Sequence, residues 1–222
     1  MAGGKPDKDD YTYSVTSDRI TITQPDGSTS SIDMRGYTHV QMDPRRQMVY
    51  YLSNGELHQL SWSGGAIATR SLAQLGPRVG DLIYLPSSGK IYYSDLSDER
   101  NPSIVEYDPT TNMMKTLASG SSPAPGTLDV REDGTLMWME SRYGSLRLIQ
   151  LSLRDLVQQT VDLPASFTGK ESSISYLNTG SGGFLYFLRD GQVMRYSFEK
   201  RRVEVIESGP VRFLSRAVPV SY

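Results

Sequence analysis

The chain has 222 residues, 23 basic and 25 acidic for a net charge of -2, with 37% hydrophobic and 22% charged residues, the profile of a folded globular protein. The near-balance of charge argues against a generic nucleic-acid binder, and no apolar run approaches the roughly 18 residues that mark a membrane span. The absence of Cys excludes disulfides, thiolate metal sites and Cys nucleophiles, and two His leave Ser-His triads and His-rich metal centres little to draw on.

Residues 1–10, MAGGKPDKDD, are small, polar and charged, with nothing to bury. They read as a flexible leader and not as a signal peptide, which would need an apolar core. Two readings stay open. The segment is either the ordinary start of a cytoplasmic protein or a tether. Mature lipoproteins begin at a lipidated Cys followed by a small polar spacer, and Ala2-Gly3-Gly4-Lys5 is similar to such a spacer with Met in place of the Cys. The second reading implies a lipid anchor upstream and a periplasmic or cell-envelope location.

From Tyr11 onward strand signals dominate, and residues 11–222 are expected to form one all-β domain. Short apolar-polar alternations are punctuated by Asp26-Gly27, Asn54-Gly55, Asp133-Gly134 and Asp190-Gly191. Leu146 to Val161 is the one stretch that could pass for helix, and Leu146–Leu151 reads better as a strand. Four apolar-aromatic segments recur: Met48–Leu52, Lys90–Ser94, Leu136–Glu140 and Phe184–Leu188. Their central aromatics Tyr50, Tyr92, Trp138 and Tyr186 are 42, 46 and 48 residues apart. Strand repeats with periods of about 40–50 residues are the mark of propeller blades.

Each repeat resolves into four strands, inner to outer a to d. The first holds Thr38–Met42, Met48–Leu52, Glu56–Trp62 and Ile67–Leu72, and the second Asp81–Leu85, Lys90–Ser94, Ser103–Tyr107 and Met113–Leu117. The third holds Thr127–Val130, Thr135–Met139, Leu146–Leu151 and Gln159–Leu163, and the fourth Ser173–Leu177, Phe184–Leu188, Gln192–Phe198 and Arg202–Ile206. Three strands remain at the start (Tyr11–Thr16, Arg19–Thr23, Ser28–Met34) and one at the end (Arg216–Val220). Together they make a fifth blade closed by both ends of the chain, which removes the open edges of a linear repeat. The expectation is a five-bladed β-propeller of four antiparallel strands per blade. An irregular β-sandwich is the alternative, and it leaves the three-plus-one division unexplained.

Tyr107-Asp108-Pro109-Thr110-Thr111-Asn112 joins a strand c to a strand d, and Tyr196-Ser197-Phe198-Glu199-Lys200 is a looser echo. In these turns the chain resembles the β-propeller superfamily, in particular its TolB-type and quinoprotein-like blades. The Gly-His and Trp-Asp pairs of WD repeats are absent. The resemblance implies a fold and leaves activity to be argued from sites.

Five-bladed propellers include glycosidases that set carboxylates around the central tunnel, and Asp81, Asp129, Asp43 and Glu171 fall on or near inner strands. The simpler reading makes Asp43 a turn residue before Pro44 and the inner-strand Asp residues ties between blades. Known propeller glycosidases are also considerably longer. His39 and His58 lack ligand spacing, and Asp95-Leu96-Ser97-Asp98-Glu99 lacks the Gly and the spaced acids of a calcium loop, so no metal or other cofactor is expected. Ser119–Ser122 and Gly180–Gly183 are connectors, since no Lys-Ser/Thr or helix follows them.

Loop lengths point to a surface. In a propeller the b–c and d–a loops share one face. The first and fourth b–c turns are minimal, whereas the second inserts Asp95–Pro102 and the third Ser141–Gly144, beside long d–a connections at 120–126 and 164–170. Elaborated loops on one side of adjacent blades suggest recognition, and neutral loop growth is the competing account. The expected contact set for a protein partner is Asp95, Asp98, Glu99, Arg100 and Asn101 with Arg142, Tyr143 and Phe167. The reading is a non-enzymatic binding or scaffold propeller of an envelope-associated assembly, with a carbohydrate-binding or glycosidase-like propeller as the alternative. Neither the oligomeric state nor the partner is legible.

Overall fold

The computed structural model describes residues 12–15, 19–23, 27–33, 35, 37–43, 46–63, 66–120, 127–131, 133–142, 145–162, 174–180, 184–189, 192–197, 199–200 and 202–207. They form 19 strands and, among the described residues, no helix. The chain divides into two compact units, residues 1–77 and 78–222.

The first unit holds two sheets. One has three strands in the order β1 (Thr12–Val15), β2 (Arg19–Thr23), β3 (Thr29–Asp33). The other has four, β4 (Thr38–Asp43), β5 (Met48–Ser53), β6 (Glu56–Ser63) and β7 (Ala66–Gln74), again in chain order. Their facing sides share one core. Ile20, Ile22 and Ile32 from the first pack with Val49, Tyr51, Leu60 and Trp62 from the second. Period-2 alternation causes this: in β2 the buried residues Ile20 and Ile22 alternate with Arg19, Thr21 and Thr23, so a single face is apolar.

The second unit holds three four-stranded sheets. The first comprises β8 (Val79–Leu85), β9 (Lys90–Asp95), β10 (Ser103–Asp108) and β11 (Met113–Ser119). The next comprises β12 (Asp129–Val130), β13 (Thr135–Arg142), β14 (Ser145–Ser152) and β15 (Gln158–Asp162). The last comprises β16 (Ile174–Gly180), β17 (Phe184–Arg189), β18 (Gln192–Ser197) and β19 (Arg202–Glu207). The first two of these share a core of Ile83, Tyr92, Ile104, Leu136, Trp138 and Ile149, among others. Every strand pair described is antiparallel and joins neighbours in sequence.

The four apolar-aromatic segments are therefore the second strand of each four-stranded sheet. Tyr50, Tyr92 and Trp138 are buried and Tyr186 is half-buried. The hairpin dipeptide Asn54-Gly55 has φ of 52° and 77°, the paired positive values that a type I′ turn needs. A side chain at Gly55 would also run into the carbonyl oxygen of Gly76, since Leu75 N donates to Gly55 O at 3.0 Å. Leu146–Leu151 lies within β14, a strand as expected.

Three boundaries differ from expectation for local reasons. β13 continues through Ser141 and Arg142, paired with Leu146 and Ser145, so two residues of the expected Ser141–Gly144 insertion belong to the strand. β12 is only Asp129–Val130, because Thr127 engages the next strand through its side chain. Its hydroxyl donates to Met139 O at 3.4 Å and accepts from Met139 N at 3.2 Å. β7 runs to Gln74 with a bulge of its own at Leu72, opposite Leu57 and His58 of β6. The leader, the closing segment 216–220, Tyr143, Phe167 and Glu171 lie outside the described residues.

Candidate functional site

The inserted loop between β9 and β10 is the best-defined feature of the expected surface. Asp95 and Ser103 are register partners, so residues 96–102 bridge two strands that end level. The loop is braced by its own side chains. Asp95 Oδ1 accepts Ser97 N at 2.9 Å, Asp98 Oδ1 accepts Arg100 N at 2.9 Å, and Asn101 N donates to Asp98 O at 3.1 Å. These are local Asx turns, the reason Asp recurs at such positions. Leu96 N donates to Arg78 O at 2.8 Å, and the Arg78 guanidinium pairs with the Glu99 carboxylate, which fastens both halves of the loop to the entry of β8. Ser97 to Asn101 face solvent on this frame.

Beneath the loop a β-bulge aims a carboxylate. The register of β8 on β9 slips between Val79 and Leu82, so Gly80 and Asp81 depart from the ladder. Gly80 permits a close approach, because a Cβ there would lie 2.7 Å from Ser94 Oγ and 2.8 Å from Leu96 Cδ1. Asp81 N donates to Ser94 Oγ at 2.8 Å. The Asp81 carboxylate then reaches the next sheet, where Oδ2 accepts Thr127 N at 2.9 Å and Leu128 N at 3.1 Å. Asp81, Ser94, Thr127 and Leu128 are buried, and Gly80 and Leu96 are half-buried. Asp81 is thus the tie between neighbouring sheets that an inner-strand Asp suggests.

The other singled-out residues fall as follows. Asp43 is buried and caps a turn, accepting Arg46 N at 3.2 Å and pairing with Arg46 Nη1 at 3.1 Å. Asp129 is half-buried in β12. His39 sits at the β4 bulge with φ of 54°, and His58 stacks on Tyr51 with ring centroids 5.2 Å apart and its Nε2 3.3 Å from Glu56 Oε2. Among the described residues no group of three or more His, Cys, Asp or Glu is placed to hold a metal ion. Arg142 is the last residue of β13.

Sequence reasoning missed a polar hollow of about 340 Å3 on the opposite face, where a–b and c–d turns of two sheets meet. Ser88, Lys90, Tyr92 and Glu106 line it from one sheet and Asp133 and Arg154 from the next. Lys90 Nζ pairs with Glu106 Oε1 at 2.6 Å, and burial pushes the Tyr92 hydroxyl up to about 12, with the Glu106 charge adding to the effect and a Ser88 hydrogen bond opposing it. The pair joins strands diagonally, a contact that sequence alone does not single out among 23 basic and 25 acidic residues.

No family model matches the chain, and no curated protein is similar to it in sequence. Solved structures are similar in fold. A chain of the nidogen/laminin complex aligns with a TM-score of 0.64 at 13% identity, covering 86% of this chain and 72% of that one. TolB from Acinetobacter baumannii aligns at 0.60 and 15%, over 84% of this chain and 48% of that one. A protein assigned as TolB from Agrobacterium tumefaciens aligns at 0.62 and 13%, over 82% and 66%. The chain therefore spans about half the length of the first TolB and 66% of the second. These neighbours are β-propellers, and the four-stranded antiparallel sheets described above have the propeller form. Among the described residues no helix is long and apolar enough to cross a membrane.

Proposed function

We propose that the chain is a non-enzymatic, protein-binding propeller of a cell-envelope-associated assembly. Its five sheets form one ring, with Arg216–Val220 as the inner strand beside β1. The binding face is the b–c face of the second and third four-stranded sheets. The observation that carries this reading is the brace of residues 96–102, which holds Ser97–Asn101 exposed on two Asx turns and an ion pair to Arg78. A loop ordered before binding loses less conformational freedom on association. In this reading Asp95 and Asp98 shape the loop, Glu99, Arg100 and Asn101 form a polar rim, and Arg142, Tyr143 and Phe167 supply contact area. Tyr and Arg combine area with directional hydrogen bonds, which is why they recur in interface hot spots. Support for a binding role also comes from the similarity to a chain of the nidogen/laminin complex, and envelope association rests on the composition of the leader.

A photo-crosslinking residue at position 100 identifies the partner in intact cells, with position 199 on the opposite face as control. Replacing Arg142 and Tyr143 with Ala is then expected to weaken the purified complex by about 1–3 kcal/mol without unfolding the chain. Charge reversal at Glu199-Lys200-Arg201 should leave affinity unchanged. Equal loss from both faces, or loss from the second alone, overturns the assignment. Fractionation of cells tests the envelope location separately.

A further inference from the structure

The polar hollow between the first two sheets of the second unit is unevenly supplied with hydrogen-bonding groups. Its volume of about 340 Å3 falls at the small end of ligand pockets, which run to roughly 300–1,000 Å3. Leu85, Leu153 and the Tyr92 ring supply its apolar lining. Its acids are already committed. Glu106 Oε1 accepts Lys90 Nζ at 2.6 Å, and the same carboxylate takes the Tyr92 hydroxyl. Asp133 Oδ1 accepts Thr135 N at 2.9 Å, and Oδ2 pairs with Arg131 Nη2 at 3.3 Å. Its donors are not. Lys90 Nζ gives one of its N–H groups to Glu106 and keeps the others, on a side chain that is 34% exposed. Among the described residues, Arg46, Arg70, Arg78, Arg131 and Arg195 each hold an acid or an amide oxygen. Arg154, which lines the hollow from the other sheet, makes no such bond among the described residues, and neither does the Ser87 hydroxyl. Asp155 feels the Arg154 charge, but its carboxylate is spent on Val157 N at 3.3 Å and on the Ser152 hydroxyl.

We propose that this hollow binds the oxyanion group of a small organic ligand, with Arg154 and Lys90 as its charged donors and Ser87 as its hydroxyl donor. A surplus of donors beside occupied acids suits a ligand that is rich in acceptor oxygens and negatively charged. The planar guanidinium of Arg154 can take two oxygens at once, and Lys90 adds a point charge from the facing sheet. The body of the ligand lies on Leu85, Leu153 and the Tyr92 ring, so an organic anion binds better than inorganic phosphate. Carboxylates and phosphate monoesters share this chemistry. Glu106 sets the affinity, because its charge repels an anion and occupies Lys90. Removing that charge while keeping the shape of the side chain therefore strengthens the site. The hollow is lined by the second unit alone and stands or falls without the loop face proposed above.

Titration of the isotopically labelled full chain with phenyl phosphate, benzoate and inorganic phosphate tests the proposal, followed by amide NMR at constant ionic strength. The expected result is saturable shifts at Ser88 and Gly134, with a Kd on the order of 0.1–10 mM for the aromatic anions and weaker binding of inorganic phosphate. Phenol, which lacks the charge, should give none. A preference for phenyl phosphate supports a phosphate monoester as the natural ligand, and a preference for benzoate supports a carboxylate. Arg154 is exposed, so Arg154→Ala leaves the core intact and should weaken binding about tenfold or more. Glu106→Gln should tighten it by roughly threefold or more, since Lys90 is then released to the anion. Arg35→Ala removes the same charge from the first unit and should leave affinity unchanged. Absence of saturable shifts up to about 50 mM of every anion overturns the proposal. So does binding that survives Arg154→Ala, equal loss from Arg35→Ala, or a weaker site in Glu106→Gln with the fold retained.

Discussion

A single carboxylate ties the first two sheets of the second unit together beside their shared apolar core. Two backbone N–H groups, of Thr127 and Leu128, are buried there, and Asp81 Oδ2 accepts both. An unpartnered buried N–H costs about 1–3 kcal/mol, and hydrogen bonds to a charged acceptor are stronger than neutral ones. Asp81→Ala strands both donors and should lower unfolding free energy by about 2–4 kcal/mol, read as a fall in the urea midpoint. Asp81→Asn keeps an acceptor oxygen and should cost roughly half as much, with partner binding intact. A wild-type midpoint for the Ala variant would show that the tie does not hold the sheets. The role of this residue was legible in the sequence, because a carboxylate on an inner strand has neighbouring strands as its nearest company. Its aim was not. That depends on the bulge at Gly80-Asp81, and a lone Gly within a strand pattern does not say which way the next side chain turns.

At the scale of elements, the c–d turns show how much a short motif conveys. In the turn Tyr107–Asn112, Asn112 N donates to Asp108 O at 2.9 Å, Asn112 has φ of 58°, and the Tyr107 hydroxyl donates to Asn112 Oδ1 at 3.0 Å. The Thr110 and Thr111 amides hold the Asp108 carboxyl below its ordinary range, the Thr110 hydrogen bond most of all. The next sheet builds the same turn from different residues. Leu156 N donates to Ser152 O at 2.9 Å, Leu156 also has φ of 58°, and Asp155 Oδ1 accepts Val157 N at 3.3 Å. The second copy was invisible in sequence, because Leu is a poor residue for left-handed backbone and gives no turn signal. Strand positions were legible for the opposite reason: a period of two and Asn-Gly or Asp-Gly tips leave little choice of hairpin. Strand ends were less so, since a ladder continues through polar residues such as Ser141 and Arg142 wherever register allows. Leu156 is 41% exposed, so replacing it sacrifices little packing. Leu156→Asn, copying Asn112, should therefore stabilise the chain by about 0.5–1 kcal/mol, measured as a higher urea midpoint. Destabilisation of that size would mean that apolar contacts of Leu156 outweigh its backbone strain.

For the whole molecule, the decisive feature is the three-stranded sheet. Among the described residues each four-stranded sheet is a run of consecutive strands, and β1–β3 form a run of three. The three leading strands could be counted in the sequence because the repeat is regular, with aromatic spacings of 42, 46 and 48 residues. The partner surface was harder to read, because loop length reports where chain was added and says little of how it is held. The Asp95 and Asp98 turns and the Arg78–Glu99 pair arise only once the loop is folded against β8. The proposed ring makes a sharp demand on the last residues. If Arg216–Val220 supplies the missing strand beside β1, removing residues 216–222 leaves a three-stranded blade with an open inner edge and breaks the ring. Loss of a closing strand acts on the stability of the whole array, whereas loss of a polar leader acts on nothing. Truncation before Arg216 should lower the thermal midpoint by roughly 10 °C or more, and deletion of Met1–Lys8 should move it by less than about 2 °C. Hydrogen exchange should also show β1 amides losing protection in the first variant alone. A truncated chain that melts within a few degrees of the full one, with β1 unchanged, would mean that the sheet of β1–β3 is complete at three strands.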